Sequence, residues 1–161
     1  MIQYIFFGLL TGSILAIAAS GFALIRQVEG FLNIAHSQYM LIGAIVGLSF
    51  MQLGVNVIFS GILATLIVGL IGLLLSWIVF EPLRGKGHLV QFFSSIGVAF
   101  VLYGLILATW TGNGIKVYPL NFGNNFNFGF INFTIGEIYV IGIAWSCMLF
   151  LHLLLTKTSI G

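Results

Sequence analysis

The sequence predicts an all-α membrane protein, a polytopic helical bundle with about five transmembrane helices and a broken or re-entrant segment after the first. Composition is the first reason. Of 161 residues, 60% are hydrophobic and only 5% are charged, and the mean hydropathy is +1.20. Because a soluble domain carries roughly a quarter charged residues, a soluble globule is excluded. The second reason is that the few charges leave long apolar stretches between them.

These charge-free stretches give the helices in order, because a charge at the bilayer centre costs about 2.5–3.5 kcal/mol on insertion scales. Residues 1–25 form the first predicted span. Residues 30–80 exceed the roughly 20 residues that cross a bilayer, and they divide at Leu53–Asn56 into a hairpin of two spans. Residues 87–115 and 138–156 give the fourth and fifth spans.

Residues 117–136 are uncharged but rich in Asn and Gly, so we predict a loop there. Its alternating segment Asn125–Phe128 is suited to a short hairpin at the membrane interface, where aromatic rings are favoured.

The basic residues predict the orientation, because short loops rich in Lys and Arg stay in the cytoplasm. With the N-terminus outside and the C-terminus in the cytoplasm, only Lys116 falls on the outer side. The other basic residues then lie inside: Arg26, Arg84, Lys86 and Lys157.

Small residues spaced by four predict helix-packing faces, because they let two backbones approach closely in lipid. Such residues occur in the first three helices: Gly8, Gly12, Ala16 and Ser20 in the first, Gly43 and Gly47 in the second, and Gly61, Thr65 and Gly69 in the third.

The segment Arg26–Ser37 is the predicted break, since polar residues and Gly30 interrupt two apolar helices. Broken helices at membrane depth occur where the backbone is buried in protein or lines a path. Two interpretations stay open. In the structural one, Asn33 satisfies freed backbone groups, His36 or Ser37 caps the next helix, and Ser94 and Ser95 bond back to their own helix. In the functional one, these residues form a substrate path or hinge: Asn33, His36, Ser37, Ser94 and Ser95.

Several other functions are not expected. The net charge of +2 comes without a basic cluster, which argues against nucleic acid. Gly85-Lys86 lacks the flanking residues of a phosphate-binding loop, and His36 has no second ligand at metal-binding spacing. We also see no nucleophile and base that would form a catalytic pair. We therefore expect no enzyme activity, no cofactor and no metal, and a source of energy outside this chain.

The segments Gly30–His36 and Tyr39–Ala44 resemble the permease subunits of bacterial branched-chain amino acid ABC importers of the LivH type. Weaker similarities follow in the same order along the chain at Gly12–Phe22, Glu81–Gly85, Ser95–Val98 and Thr156–Gly161. The chain departs from the family pattern at Ser37, Gln38 and Glu81.

The resemblance implies a pore-forming subunit in a bacterial or archaeal inner membrane. Its partners would be a second permease subunit, two cytoplasmic ATP-binding subunits and an extracytoplasmic substrate-binding protein. Such permeases run to nearly twice this length, so residues 1–161 are expected to form a single permease domain that stops before the ATPase-coupling segment. Branched-chain amino acids are the expected cargo. The alternatives are a related permease for urea or amides, and a structural or truncated membrane protein that does not transport.

Overall fold

The computed structural model describes residues 2–110, 125–128 and 131–157. Five α-helices make up most of this part of the chain: α1 (Ile2–Glu29), α2 (His36–Gln52), α3 (Val57–Leu75), α4 (His88–Trp110) and α5 (Ile135–Lys157). A π-helical turn, Ser76–Phe80, and a 3-10 turn, Glu81–Leu83, lie between α3 and α4. Two short antiparallel strands, β1 (Asn125–Phe128) and β2 (Ile131–Thr134), precede α5, with Asn125 opposite Thr134.

Four helical stretches of the described residues are long and apolar enough to cross a membrane: Gln3–Glu29, Val57–Leu83, His88–Trp110 and Ile135–Lys157. Helix α2 has 17 residues, at the short end of the range of about 17–25 for a spanning helix. The predicted polytopic helical membrane protein is confirmed.

Some predicted boundaries were wrong. Helix α1 runs on to Glu29 rather than ending at residue 25, so the break starts only at Gly30. The third helical stretch runs on to Leu83 rather than ending at residue 80, with α-helix only as far as Leu75. Helix α5 begins at Ile135, three residues before the predicted start. Residues 111–124, which hold the predicted end of the fourth span and Lys116, lie outside the described residues.

The hairpin between α2 and α3 forms where the sequence predicts it. Gly54 takes a left-handed φ of +85° and donates its N–H to the Met51 carbonyl at 3.0 Å. Asn56 then caps α3, because its side-chain oxygen accepts the Ile58 N–H at 3.1 Å. These two residues turn the chain without leaving its backbone groups unpaired at the turn.

The chain divides into two compact units, residues Met1–Leu24 with Leu120–Gly161, and residues Ile25–Pro119. In the first unit, the Trp145 indole N–H of α5 donates to the Ser13 hydroxyl of α1 at 3.2 Å. Ser13 is 5% exposed and donates in turn to the Leu9 carbonyl at 2.7 Å. At the start of α5, the Glu137 carboxylate accepts the Thr134 N–H at 2.9 Å, half of a capping box.

The Ser13–Trp145 hydrogen bond generates a stability prediction. We expect Ser13→Ala to lower the free energy of unfolding by about 1 kcal/mol, since the indole N–H loses its partner in an apolar setting. Titration of the purified protein in mixed micelles with sodium dodecyl sulfate measures this. The matched control is Ser146→Ala in α5, because the exposed Ser146 hydroxyl bonds only within its helix, to the Gly142 carbonyl. Equal stability of the two variants would contradict the prediction.

Candidate functional site

The helix break, residues Gly30–Ala35, begins where Gly30 ends α1. Gly30 has a φ of +78°, a left-handed conformation, and its N–H still reaches the Arg26 carbonyl at 2.9 Å. A Cβ atom at this position would lie 3.3 Å from Cε1 of His88. Both the dihedral angle and the close approach therefore favour glycine here, and the helix cannot continue.

After Gly30 the side chains alternate between the protein interior and the outside. Phe31, Asn33 and Ala35 are 5%, 3% and 0% exposed, whereas Leu32 and Ile34 are 38% and 37% exposed. A period of two is typical of extended chain. Extended chain has no internal ladder of hydrogen bonds, so its N–H and C=O groups need partners from elsewhere in the protein.

The Asn33 side chain makes two hydrogen bonds at the break, one to a backbone group and one to a side chain. Its side-chain oxygen accepts the Ala35 N–H at 3.1 Å, and its amide nitrogen donates to the Glu29 carboxylate at 3.1 Å. One side chain thus ties the end of α1 to the start of α2. The predicted structural role of Asn33 is confirmed.

The predicted cap of α2 by His36 or Ser37 was wrong. The N-cap residue is Ala35, and the Ser37 hydroxyl, which is exposed, donates backwards to the Ile34 carbonyl at 3.0 Å. The Asn33 side chain accepts the N–H of the N-cap residue itself, Ala35, and no side-chain cap among the described residues bonds to the first turn of α2.

Ser95 of α4 anchors the break across 61 residues of sequence. Its hydroxyl accepts the Ile34 N–H at 3.0 Å and donates to the Phe92 carbonyl at 2.7 Å, with the Leu32 carbonyl further away at 3.4 Å. The side chain is fully buried. The expected hydrogen bond of Ser95 to its own helix is therefore present, and the same hydroxyl oxygen also accepts a hydrogen bond from the break. Its neighbour Ser94 is half-buried, and no side-chain hydrogen bond in the described part of the chain joins it to the break.

A second anchor is aromatic. The Phe31 and Phe80 rings lie 5.4 Å apart between centroids at an interplanar angle of 44°, and each residue is 5% exposed. Phe80 is the last residue of the π-helical turn. The break is thus held by α4 on one side and by the end of the third span on the other.

Charged groups gather beside the aromatic pair. The Arg84 guanidinium attracts the Glu29 carboxylate and lies 3.6 Å from Oε1 of Glu81. A cavity of about 20 Å³, enough for about one water molecule, is bordered by these groups and by Ser76 and Gln91. The buried amide of Gln91 adds a further polar group to this region.

A groove of about 560 Å³ lies between α2 and α3, with His36 and Tyr39 among its lining residues. Small residues line it as well: Gly43, Gly47, Ser60, Gly61, Ala64, Thr65 and Gly69. A Cβ built at Gly61 or Gly69 would meet no atom of the described residues within 4 Å, and one at Gly43 would lie 3.5 Å from Val68. The predicted packing face of α2 thus approaches α3 at Gly43, whereas Gly61 and Gly69 of α3 border open space, and their packing against another helix stays a prediction.

The small residues of α1 have similar surroundings. A Cβ at Gly8 or Gly12 would meet nothing within 4 Å in the described part of the chain. Ala16 and Ser20 are half-buried, and the Ser20 hydroxyl bonds back to the Ile17 carbonyl. Packing of this face against a partner helix is likewise still a prediction.

On the α4 side of the break, a smaller groove of about 280 Å³ is lined by Ile34, Gln38, Ile96, Ala99, Phe100 and Tyr103. The side-chain oxygens of Gln38 and Tyr39 are buried and have no hydrogen-bond partner among the described residues. Two polar groups in the first turn of α2 therefore have bonding capacity to spare beside the break.

Sequence reasoning placed the break but missed several residues that hold it: Glu29, Phe31, Phe80 and Arg84. Two signals in the sequence mark the ends of the helices on which these residues lie. A glycine after a periodic helix is a common C-terminal cap, and it marks Gly30. A proline obstructs the carbonyl four residues before it, which for Pro82 is Ile78, inside the π-helical turn.

Comparisons with known proteins agree with this architecture. The family described as branched-chain amino acid transport system / permease component matches residues 4–161. The chain is 23% identical over 176 aligned residues to the high-affinity branched-chain amino acid transport system permease protein BraD of Pseudomonas aeruginosa. That alignment covers 99% of this chain and 56% of BraD, so the chain spans about half the length of this relative. No solved structure matches the chain significantly.

The match covers nearly every residue of the sequence, and it includes all five helices and the helix break. The chain therefore belongs to the family of permease components of branched-chain amino acid transport systems.

Proposed function

We propose that this chain is a permease portion of an ABC importer that moves branched-chain or similar amino acids across the inner membrane. The observation that carries the proposal is the family match over residues 4–161. The similarity to BraD, a high-affinity branched-chain amino acid transport system permease protein, supports the substrate class.

The helix break is the proposed centre of the transport path. Irregular backbone at membrane depth is a frequent construction at transporter paths, where it is buried in protein or lines a cavity. Two grooves flank the start of α2, one with His36 in its lining and one with Gln38. The hydrogen bonds of Asn33 and Ser95 support a hinge role for these residues, and the place of His36 in the lining of the α2–α3 groove supports its contact with the path. Ser37 and Ser94 line neither groove, and their part in the path is proposed from the sequence alone.

Energy for transport is proposed to come from two cytoplasmic ATP-binding subunits. The chain has Gly87 after Gly85-Lys86, where a phosphate-binding loop needs Ser or Thr, and its spans carry charges only near their ends. A second permease subunit and an extracytoplasmic substrate-binding protein complete the proposed assembly. We propose a single permease domain over residues 1–161, with the N-terminus outside and the C-terminus in the cytoplasm, since this places Arg26, Arg84 and Lys86 inside.

The proposed path generates a transport prediction. In cells that depend on this protein for leucine uptake, Asn33→Ala and His36→Ala are each expected to reduce the initial rate of uptake at least tenfold. Asn33→Ala removes the side-chain hydrogen bonds of the break, and His36→Ala alters the lining of the α2–α3 groove. Ser49→Ala is the matched control, since the Ser49 hydroxyl bonds only to the Ile45 carbonyl of its own helix. Full uptake by both variants, at equal protein level in the membrane, would remove these residues from the path.

The anchor in α4 generates a second prediction. Ser95→Ala leaves the Ile34 N–H without its acceptor in a buried place, which costs about 1–3 kcal/mol of unfolding free energy. We expect a lower midpoint in a thermal unfolding assay in detergent, together with slower uptake. Ser95→Thr keeps the hydroxyl and is expected to recover most of the loss. If Ser95→Ala unfolds at the parent's midpoint, the hydroxyl does not stabilise the break.

The proposed substrate class is tested by competition. An excess of unlabelled isoleucine or valine is expected to suppress labelled leucine uptake by more than tenfold, because these aliphatic amino acids would share one path. Urea and acetamide at the same concentration are the controls and are expected to leave the rate unchanged. Suppression by urea or acetamide alone would assign the chain to a related amide permease. No uptake of any of these compounds, with the other subunits present, would favour a structural protein.

A further inference from the structure

The smaller groove, on the α4 side of the helix break, has the size and the lining of a site for a small molecule. Its volume is about 280 Å³, and its walls come from three places: Ile34 of the break, Gln38 of the first turn of α2, and Ile96, Ala99, Phe100 and Tyr103 of α4. Drug-sized ligands occupy pockets of about 300–1,000 Å³. This groove therefore suits a smaller molecule, of the size of a single amino acid.

The two walls of the groove are held together by a hydrogen bond. The Ile34 N–H donates to the Ser95 hydroxyl at 3.0 Å, and Ala99 lies one turn after Ser95 on the same face of α4. Ala99 is 7% exposed, whereas Ile34 and Phe100 are 37% and 71% exposed. The most buried residue of the lining is thus also the smallest, and the space in front of it is what the groove offers a ligand.

One amide lies among these mostly apolar side chains. The side-chain oxygen of Gln38 is buried and has no hydrogen-bond partner among the described residues. A buried polar group without a partner is unfavourable. The oxygen and the NH₂ of an amide have nearly the same shape, so a half-turn of the amide directs either of them to the groove. Gln38 can therefore accept a hydrogen bond from a ligand or donate one to it.

This lining matches a molecule that is aliphatic at one end and polar at the other. The aliphatic end would bury apolar surface against Ile34, Ile96 and Phe100, which is favourable. The polar end would meet the Gln38 amide and the Tyr103 hydroxyl. None of the six lining residues is charged, so the groove suits a molecule without net charge. An aliphatic amino acid has these properties, because its ammonium and carboxylate groups cancel in charge.

The position of the groove also suits a transported molecule. Ala99 is the central residue of α4, a helix long and apolar enough to cross a membrane. Many transporters place their substrate near the middle of the bilayer, beside irregular backbone. The α2–α3 groove differs, because at about 560 Å³ it is larger and is lined by several glycines, which suit the approach of another helix.

We propose that the smaller groove is a substrate subsite for one aliphatic amino acid. The amino-acid side chain packs against Ile34, Ile96 and Phe100, while the Gln38 amide binds the ammonium or the carboxylate group. Ala99 sets the size of side chain that fits. This inference rests on the proposed function for the class of substrate, and it adds the residues that select within that class.

The first test narrows the groove. Leucine exceeds valine by one methylene group, and a methylene in an apolar pocket changes discrimination by about 10–200-fold. With the complete transporter in cells, we expect Ala99→Leu to lower the ratio of leucine uptake to valine uptake at least fivefold. Ala108→Leu is the matched control, because exposed Ala108 lies on the same helix and lines neither groove, and its ratio is expected to stay within twofold of the parent's.

The second test widens the groove and removes its amide. Ile96→Ala is expected to strengthen the inhibition of leucine uptake by phenylalanine at least fivefold, since a larger side chain would then fit. Gln38→Leu is expected to lower the uptake of leucine and valine alike, at least tenfold. Gln52→Leu at the exposed end of α2 is its control and is expected to keep the parent's rate.

A third measurement detects binding without transport. In the purified complete transporter, a leucine analogue that carries a photoreactive diazirine is expected to label residues of the groove. An excess of leucine is expected to suppress this labelling more than tenfold, and Gln38→Leu is expected to abolish it.

The outcomes separate the subsite from general damage and from the proposed function. A structural defect would slow leucine and valine equally, so an unchanged ratio in Ala99→Leu overturns the subsite, as does an equal change in Ala108→Leu. If Ala99→Leu fails to accumulate in the membrane, Ile96→Ala decides in its place. Labelling outside the groove, in a parent that takes up leucine, overturns the subsite and leaves the proposed function standing. A parent without leucine or valine uptake counts against the proposed function, and the labelling then decides whether the groove binds an amino acid.

Discussion

The structure depends on one constraint, which is that the chain between two apolar helices, once it is buried in the protein, must satisfy its freed backbone groups there. Each buried group left unsatisfied would cost about 1–3 kcal/mol. The break between α1 and α2 meets this requirement with two short side chains. The Asn33 side chain, within the break, accepts a hydrogen bond from the Ala35 N–H, and the Ser95 hydroxyl of α4 accepts one from the Ile34 N–H. Because both groups are buried, the position of α4 and the course of the break are set together.

The same constraint explains the second irregular place. Pro82 removes one donor and obstructs one carbonyl, and the chain responds with a π-helical turn before it and a 3-10 turn around it. The Glu81 N–H reaches Ser76, and the Arg84 N–H reaches Glu81 at 3.0 Å. The Phe31–Phe80 contact joins these two irregular places.

Helix packing in the unit Ile25–Pro119 resembles that of membrane proteins rather than that of soluble proteins. Apolar contact alone gives membrane helices little reason to associate, so close approach at small residues and a few polar bonds carry the interaction. Gly43 of α2 shows the first, since a Cβ there would lie 3.5 Å from Val68 of α3, and Ser95 shows the second. Large apolar side chains, such as Leu70 and Phe100, are mostly exposed, as expected where the surrounding solvent is hydrocarbon.

The sequence by itself determined the class of fold, the existence of five apolar helices, the hairpin at Gly54 and a break between the first two helices, because charge costs, glycine dihedrals and span lengths act locally. Its motifs also indicated the permease family. Only the tertiary structure decided which partners the break uses. The spans are apolar on nearly every side, so their sequences do not say which face meets which helix. The pairing of Ile34 with Ser95, and of Phe31 with Phe80, depends on how the helices pack, and local sequence patterns do not encode that packing.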